Sequence, residues 1–225
     1  MGAHTTLTSA KLKYFVFVMM IVLTSCGGKF VTFTEPQPVN SPNLKKFPER
    51  LQGEYIEGTD NSRLSISEFM MIKTAELEVK LHKNDLDSSV SLKGDILTDL
   101  TNNISVPVKW DRDSLIYQYT YKDTLFTLSE KNILRKLKGH YFLNRDLGGF
   151  GWEVEQMDYR KGRLSFSTIS DSLAIKNLRE IGETEEVYLS DSLKHEKMKV
   201  SHKEFKNFVS DKGFQESAVY RKVKK

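Results

Sequence analysis

The sequence predicts a mainly β fold, an antiparallel curved sheet or partly closed barrel, with two short helices near residues 172–181 and 202–212. Two observations predict this fold. Apolar residues alternate with polar ones along many short segments, as they do in half-buried strands, and helical spacing of apolar residues is confined to two segments. A third observation is the aromatic content of 11%, which supplies large side chains for a core in a chain with one cysteine.

The first segment in chain order is typical of a secretory signal peptide. Lys11 and Lys13 precede ten largely apolar residues, Tyr14 to Leu23, and the small residues Thr24 and Ser25 follow. A helix of ten residues is only about 15 Å long, half the thickness of the hydrocarbon core of a bilayer. We therefore interpret residues 1–25 as a targeting segment that is removed, with no permanent transmembrane span.

Cys26 is the only cysteine in 225 residues. Leu23-Thr24-Ser25-Cys26 resembles the bacterial lipobox, in which the thiol is diacylated, the signal is cleaved before it, and the new amino group is usually acylated too. Acyl chains such as palmitate anchor firmly when two or more are present, because each buried CH₂ contributes about 0.8 kcal/mol. The alternative is that Cys26 is an incidental small residue at the end of an ordinary signal peptide.

The residues after Cys26 bear on location. By resemblance to bacterial sorting rules, Gly27 in place of Asp favours transfer to the outer membrane. The segment Gly27-Gly28-Lys29-Phe30 lacks the acidic cluster that often directs lipoproteins of Bacteroidota to the cell surface. We therefore expect a lipid-anchored protein of the cell envelope on the periplasmic face of the outer membrane, in preference to the cell surface.

Composition limits the classes of partner. Removal of residues 1–25 takes away two lysines and no acidic residue, which leaves 32 basic against 30 acidic residues. This balance is too close to neutral to predict nucleic-acid binding. With Cys26 acylated, the rest of the chain has no thiol for a disulfide, so the fold must be stabilised by its buried core.

The mature chain divides into a tether and a domain. Residues 26–46 contain three prolines and no periodic apolar pattern, which predicts a lipidated N-terminus and a flexible tether. Residues 47–225 form the predicted β-rich domain. Leu51-Gln52-Gly53-Glu54-Tyr55 and Leu137-Lys138-Gly139-His140-Tyr141 share L-x-G-x-Y, so two related halves, about 47–128 and 129–225, are an alternative to one continuous sheet.

Strands are predicted from alternation. The clearest segments are 76–82, 104–110, 115–121, 124–128, 150–155, 164–169 and 214–223. Pro107 indicates an edge strand, because proline donates no ladder hydrogen bond. Lys122-Asp123 is predicted as a turn, and Arg160-Lys161-Gly162 as the turn of a hairpin.

The two predicted helices have recognisable ends. Ser201 and Glu204 form a capping box ahead of an apolar face containing Phe205 and Phe208. In the other segment, Ala174, Leu178 and Ile181 share one face and Gly182 follows them. We therefore expect both helices to pack one face against the sheet.

Several short segments resemble uncharacterised lipoproteins of Bacteroidota. The resemblance covers most of the mature chain and is carried by Gln37-Pro38, Leu44 to Pro48, Leu51 to Tyr55, Ser62 to Ile66, Tyr141 to Asn144, Trp152 to Val154, Lys203 to Phe205 and Gly213-Phe214. It implies an envelope lipoprotein of mostly β structure and brings no known activity.

Motifs of the common catalytic and metal sites are not found. The five histidines include no H-x-x-x-H or H-E-x-x-H pair, so we predict no metal site and no cofactor. Asp/Ser clusters such as Asp111 to Ser114 are typical of turns. Glu153 and Glu155 have the one-face spacing of a glycosidase pair, but any amphipathic strand with two glutamates has it, so we interpret them as solvent-exposed.

Aromatic residues are the remaining candidates for ligand binding. Tyr117, Tyr119 and Tyr121 share one strand face, and Trp110 and Trp152 lie nearby in sequence. They would line a cupped sheet around an apolar or glycan ligand, or else pack the core. The sequence thus predicts a non-enzymatic, membrane-anchored binding or interaction module, with a lipocalin-like carrier of a small apolar or glycan ligand as the alternative.

Overall fold

A computed structural model describes residues 31–58, 60, 62–188 and 194–223, with the side chains of 194 and 195 excepted. Cys26 and the predicted signal peptide lie outside this range. Within it the chain forms two compact units: a small unit of residues 76–121, and a large unit of residues 31–75 and 122–223. In the described part of the chain, no helix has the length and apolar character needed to cross a membrane.

The prediction of a mainly β fold with two helices is confirmed. The strands in chain order are β1 Val31–Phe33, β2 Gly53–Glu57, β3 Arg63–Ile66, β4 Met70–His82, β5 Val90–Lys93, β6 Ile96–Asp99, β7 Ile104–Pro107, β8 Lys109–Asp111, β9 Ser114–Thr127, β10 Asn132–Leu137, β11 His140–Asp146, β12 Trp152–Arg160, β13 Arg163–Thr168, β14 Glu183–Tyr188, β15 Lys194–Lys199 and β16 Gln215–Lys222. The helices are α1 Ser172–Ile181 and α2 His202–Ser210.

The large unit is built on one open sheet. Its strands follow the order β14-β15-β1-β12-β13-β16-β2-β3-β4-β9, with β10 and β11 added along the other side of β12. All described pairs are antiparallel except β1 with β15. The sheet is not closed into a barrel, so of the two predicted forms the open sheet is correct.

An apolar cluster lies on each face of the central part of this sheet. On one face, a cluster includes Phe47, Leu51, Tyr55, Leu64, Tyr141, Leu143 and Met157. On the other, α1 and α2 cover a cluster that includes Val31, Phe33, Phe142, Leu178, Met198, Phe205, Phe208 and Phe214. Neighbouring residues of β11 alternate between the two clusters, because side chains of a strand point to opposite faces.

Local sequence signals are visible in the structure. Lys161 and Gly162, both with positive φ, join β12 to β13 as the predicted hairpin. The Ser201 hydroxyl accepts from Glu204 N, and the Glu204 carboxylate accepts from Ser201 N, so the capping box at the start of α2 is present. Helix α1 begins one position after Asp171, whose carboxylate accepts from Ala174 N.

Two predicted strand boundaries were wrong. Lys122-Asp123 is not a turn, because β9 continues through it in extended conformation to Thr127. The predicted strand 104–110 is divided at Val108 into β7 and β8. Strand β7 is an outer strand of the three-stranded sheet β5-β6-β7, in agreement with the position of Pro107.

From Val31 onward, the segment predicted as a tether is part of the large unit. Strand β1 lies between β15 and β12, with Val31 and Phe33 buried. The Gln37 backbone is bound on both sides by Asn144, whose Oδ1 accepts from Gln37 N at 2.5 Å and whose Nδ2 donates to Gln37 O at 2.9 Å. Arg135 donates to the carbonyls of Pro36 and Pro38. These distant partners order a segment that has no periodic pattern of its own.

The shared L-x-G-x-Y segments occupy similar positions. Gly53 begins β2 and Gly139 immediately precedes β11, both with positive φ, and Tyr55 and Tyr141 are buried. The compact units nevertheless divide the chain near residues 75 and 121, and not near 128. In the small unit, Leu97, Val108 and Leu115 form the core.

Candidate functional site

The most chemically varied cavity of the large unit is a polar groove of about 320 Å³. Strands β11, β12, β13 and β16 form its floor, and the residues following α2 form one wall. We call it the polar groove, lined by His140, Gln156, Asp158, Arg160, Arg163, Ser165, Ser167, Val209, Lys212, Phe214 and Glu216. It lies on the helix-covered face of the sheet, where the apolar cluster gives way to polar side chains.

Three side chains at one end of the groove form a hydrogen-bonded group. His140 Nδ1 donates to Asp158 Oδ1 at 2.5 Å, and Gln156 Nε2 donates to Asp158 Oδ2 at 2.7 Å. Gln156 Nε2 also lies 3.1 Å from His140 Nδ1. This arrangement fixes the imidazole ring and leaves His140 Nε2 available to a ligand.

The strand pairing explains why these residues meet. Tyr141 pairs with Met157, which places His140 opposite Asp158 across β11 and β12, and Asp158 pairs with Ser165 across β12 and β13. The carboxylate therefore stands between the imidazole and the hydroxyl. In a serine hydrolase the imidazole stands between the other two, so the groove lacks the arrangement of that triad.

Cationic side chains give the groove a positive excess. Arg163 is paired with Glu216 at 2.5 Å. Among the described residues, Arg160 and Lys212 form no ion pair. A bound anion would meet these two cations together with the hydroxyls of Ser165 and Ser167 in the floor.

A second cavity contains the two glutamates with glycosidase-like spacing. Arg145 binds both, with Nη1 3.1 Å from Glu153 and Nη2 3.2 Å from Glu155. The arginine also lies over the ring of Phe126. Burial raises the pKa of Glu155, with Arg145 acting in the opposite direction. Ion pairing with one guanidinium accounts for the position of both carboxylates without a catalytic role. Both glutamates are partly buried, so the prediction that they are solvent-exposed is only partly correct.

The five aromatic residues predicted to line a ligand site belong to different units. Tyr117, Tyr119, Tyr121 and Trp110 lie in the small unit, where Tyr117 packs against the core and burial raises its pKa. Tyr119 and Trp110 are about half exposed, and Tyr121 is partly buried. Trp152 lies in the large unit and packs against the helix-covered cluster.

The histidines singled out in the sequence have individual partners. His202 Nδ1 bonds with Val39 O, and His82 Nδ1 accepts from Asn84 N. The side chain of His195 is not described. In the part of the chain that the structure covers, there is no group of three His, Cys, Asp or Glu residues suited to a metal ion.

Sequence reasoning missed the polar groove. His140, Gln156 and Asp158 belong to no motif that would have indicated a shared site. The signal in the sequence was the two polar residues at positions 156 and 158, on the same strand face as the apolar Trp152 and Val154. Comparison with known proteins finds no matching family model, no matching curated protein and no matching solved structure.

Proposed function

We propose that this chain is a lipid-anchored protein of the cell envelope that works as a non-enzymatic binding or interaction module. The observation that carries the proposal is the run of Lys11, Lys13, the apolar segment 14–23 and Cys26. Support also comes from the short distance in sequence between Cys26 and Val31, since the folded large unit would then stand directly on its anchor. The outer membrane, on its periplasmic face, is the proposed location.

Replacing Cys26 with alanine is expected to abolish acylation, because the cysteine sulfur is the atom to which the diacylglycerol is attached. The variant should then lose the acyl mass in intact mass spectrometry. It should also leave the detergent phase in phase partitioning. The matched control is Ser25→Ala, which keeps the thiol beside a small residue. Acylation of the Cys26→Ala variant would contradict the proposal.

The polar groove is the proposed ligand site of this module. Its surface presents an amide, an imidazole, hydroxyls and charged groups, and it is open to solvent, which suits a polar ligand better than the apolar one of a lipocalin-like carrier. Alternating donors and acceptors fit the hydroxyls of a sugar, and the unpaired Arg160 and Lys212 fit a negative charge. We therefore favour an acidic glycan.

An acidic sugar is expected to bind in the groove more tightly than its neutral counterpart. The probes are trigalacturonate and a neutral trisaccharide of the same length, with binding followed by NMR at His140 and Gln156. The double variant Arg160→Ala/Lys212→Ala should weaken trigalacturonate binding roughly two- to thirtyfold, since each exposed ion pair contributes about 0.2–1 kcal/mol. Added salt should weaken it as well.

The control for this experiment removes the same charge elsewhere. Lys131→Ala/Lys176→Ala lies outside the groove lining and should leave binding unchanged. Equal affinity for the acidic and neutral sugars, or equal weakening by both double variants, would contradict an acidic glycan in the groove.

A further inference from the structure

The start of β1 limits how far the large unit can stand from a lipid anchor. Four residues, 27 to 30, separate Cys26 from Val31. Fully extended, the five residue steps from Cys26 to Val31 span at most about 17 Å. With Cys26 acylated, the N-terminal end of β1 must therefore lie within that distance of the lipid headgroups. This step rests on the proposed function, because it requires the lipidation of Cys26.

The pairing of β15 shows what else lies at this end of the sheet. Strand β15 runs parallel to β1, with Glu196 opposite Val31. It begins two residues earlier, at Lys194, which pairs with Tyr188 at the end of β14. At about 3.3 Å per residue, the pair of Tyr188 and Lys194 lies about 7 Å beyond Val31, on the side from which the chain arrives.

Helix α1 brings a second apolar side chain to the same end. Arg179 reaches Glu196, the residue that pairs with Val31, through its long side chain, so this ion pair does not fix the level of the helix backbone. Gly182, just after the helix, contacts Val200 beyond the far end of β15. The helix therefore runs away from the arriving chain, and Leu173, nine residues before Gly182, lies about 13 Å back along the helix axis, near the level of Val31.

Leu173 and Tyr188 are the most exposed of the described large apolar side chains, at 61% and 63%. A leucine and a tyrosine together suit the boundary of a bilayer, where an apolar surface meets polar headgroups. We infer that the end of the large unit bearing Leu173 and Tyr188 lies on the bilayer that holds Cys26, and we call it the membrane-facing end. The surface that this end contacts is the lipid bilayer.

The experiment uses full-length, acylated protein reconstituted in vesicles of phosphatidylethanolamine and phosphatidylglycerol with nitroxide-labelled headgroups. Single cysteines are introduced as Leu173→Cys, Tyr188→Cys or Glu183→Cys and labelled with a fluorophore. The label is specific, because the chain has no other cysteine than the acylated Cys26. Glu183 is the matched control, since it is exposed on the same strand as Tyr188 and about 17 Å from it.

We expect the nitroxide lipids to quench labels at positions 173 and 188 at least twofold more than the label at 183. Equal quenching at all three positions, in protein that floats with the vesicles, would overturn the membrane-facing end while leaving the anchor intact. That result would direct attention to a partner protein on Leu173 and Tyr188. Protein that carries no acyl mass and does not float would overturn the lipidation itself, and with it the proposed function.

Discussion

Replacing Gly151 with alanine is expected to lower the free energy of unfolding of the large unit by about 4 kcal/mol. Gly151 has φ 90° and ψ −153°, a backbone region open to glycine almost alone, and a side chain forced into it costs about 1–3 kcal/mol. A Cβ atom here would also overlap the carbonyl of Phe33 in β1. Overpacking costs about 1–3 kcal/mol more, because backbone cannot move aside as a flexible side chain does.

Gly139 provides the control for this substitution. Its φ of 93° is almost the same, but a Cβ atom there would meet nothing within 4 Å. Gly139→Ala should therefore show only the conformational cost, about 1–2 kcal/mol. Urea denaturation of both variants measures the difference. Equal losses of stability would show that contact with β1 has no part in the requirement for Gly151.

The second large effect is expected at Asn144. Asn144→Leu keeps the number and branching of the side-chain heavy atoms but removes the partners of the Gln37 backbone N–H and C=O, and both residues are fully buried. Leaving a buried polar group without a partner costs about 1–3 kcal/mol. With two such groups, we expect a loss of about 3–4 kcal/mol in urea denaturation. Hydrogen exchange at the Gln37 amide should accelerate as well.

Asn43→Leu is the comparison for Asn144→Leu. Asn43 lies in the same N-terminal segment and accepts from Arg135 Nε at 2.8 Å, but it is exposed. Water replaces its lost hydrogen bond, so the change in stability should stay below about 1 kcal/mol. A comparable loss in both variants would mean that burial of the Gln37 backbone does not determine the cost.

Both substitutions concern the segment that begins with β1, a strand that was not predicted from the sequence. The strand has only three residues, which is too short for an alternating apolar pattern to be recognised. Its neighbours β12 and β15 lie more than 100 positions further along the chain. By contrast, the hairpin at Lys161-Gly162 and the capping box of Ser201 and Glu204 depend on neighbours within four residues. Local geometry was therefore predictable, and the inclusion of residues 31–46 in the large unit was not.

The polar groove was hidden for a related reason. His140 and Asp158 meet because of the register between β11 and β12, which a single sequence does not specify. Lys212 and Phe214 reach the groove because α2 packs across the sheet. Tyr117, Tyr119 and Trp152 were selected for their residue type and for alternation within a strand, and neither shows which unit a strand belongs to.

The central position of β1 has a consequence for the order of folding. The segment beginning with β1 meets its partners late in the chain: Val39 O bonds His202, 163 positions away. Contacts of such separation form slowly, since a long loop must close before they contribute stability. The sheet therefore stays incomplete until nearly the whole chain is available to fold. If Cys26 is acylated as proposed, that modification would precede the closing step in which β1 enters the sheet.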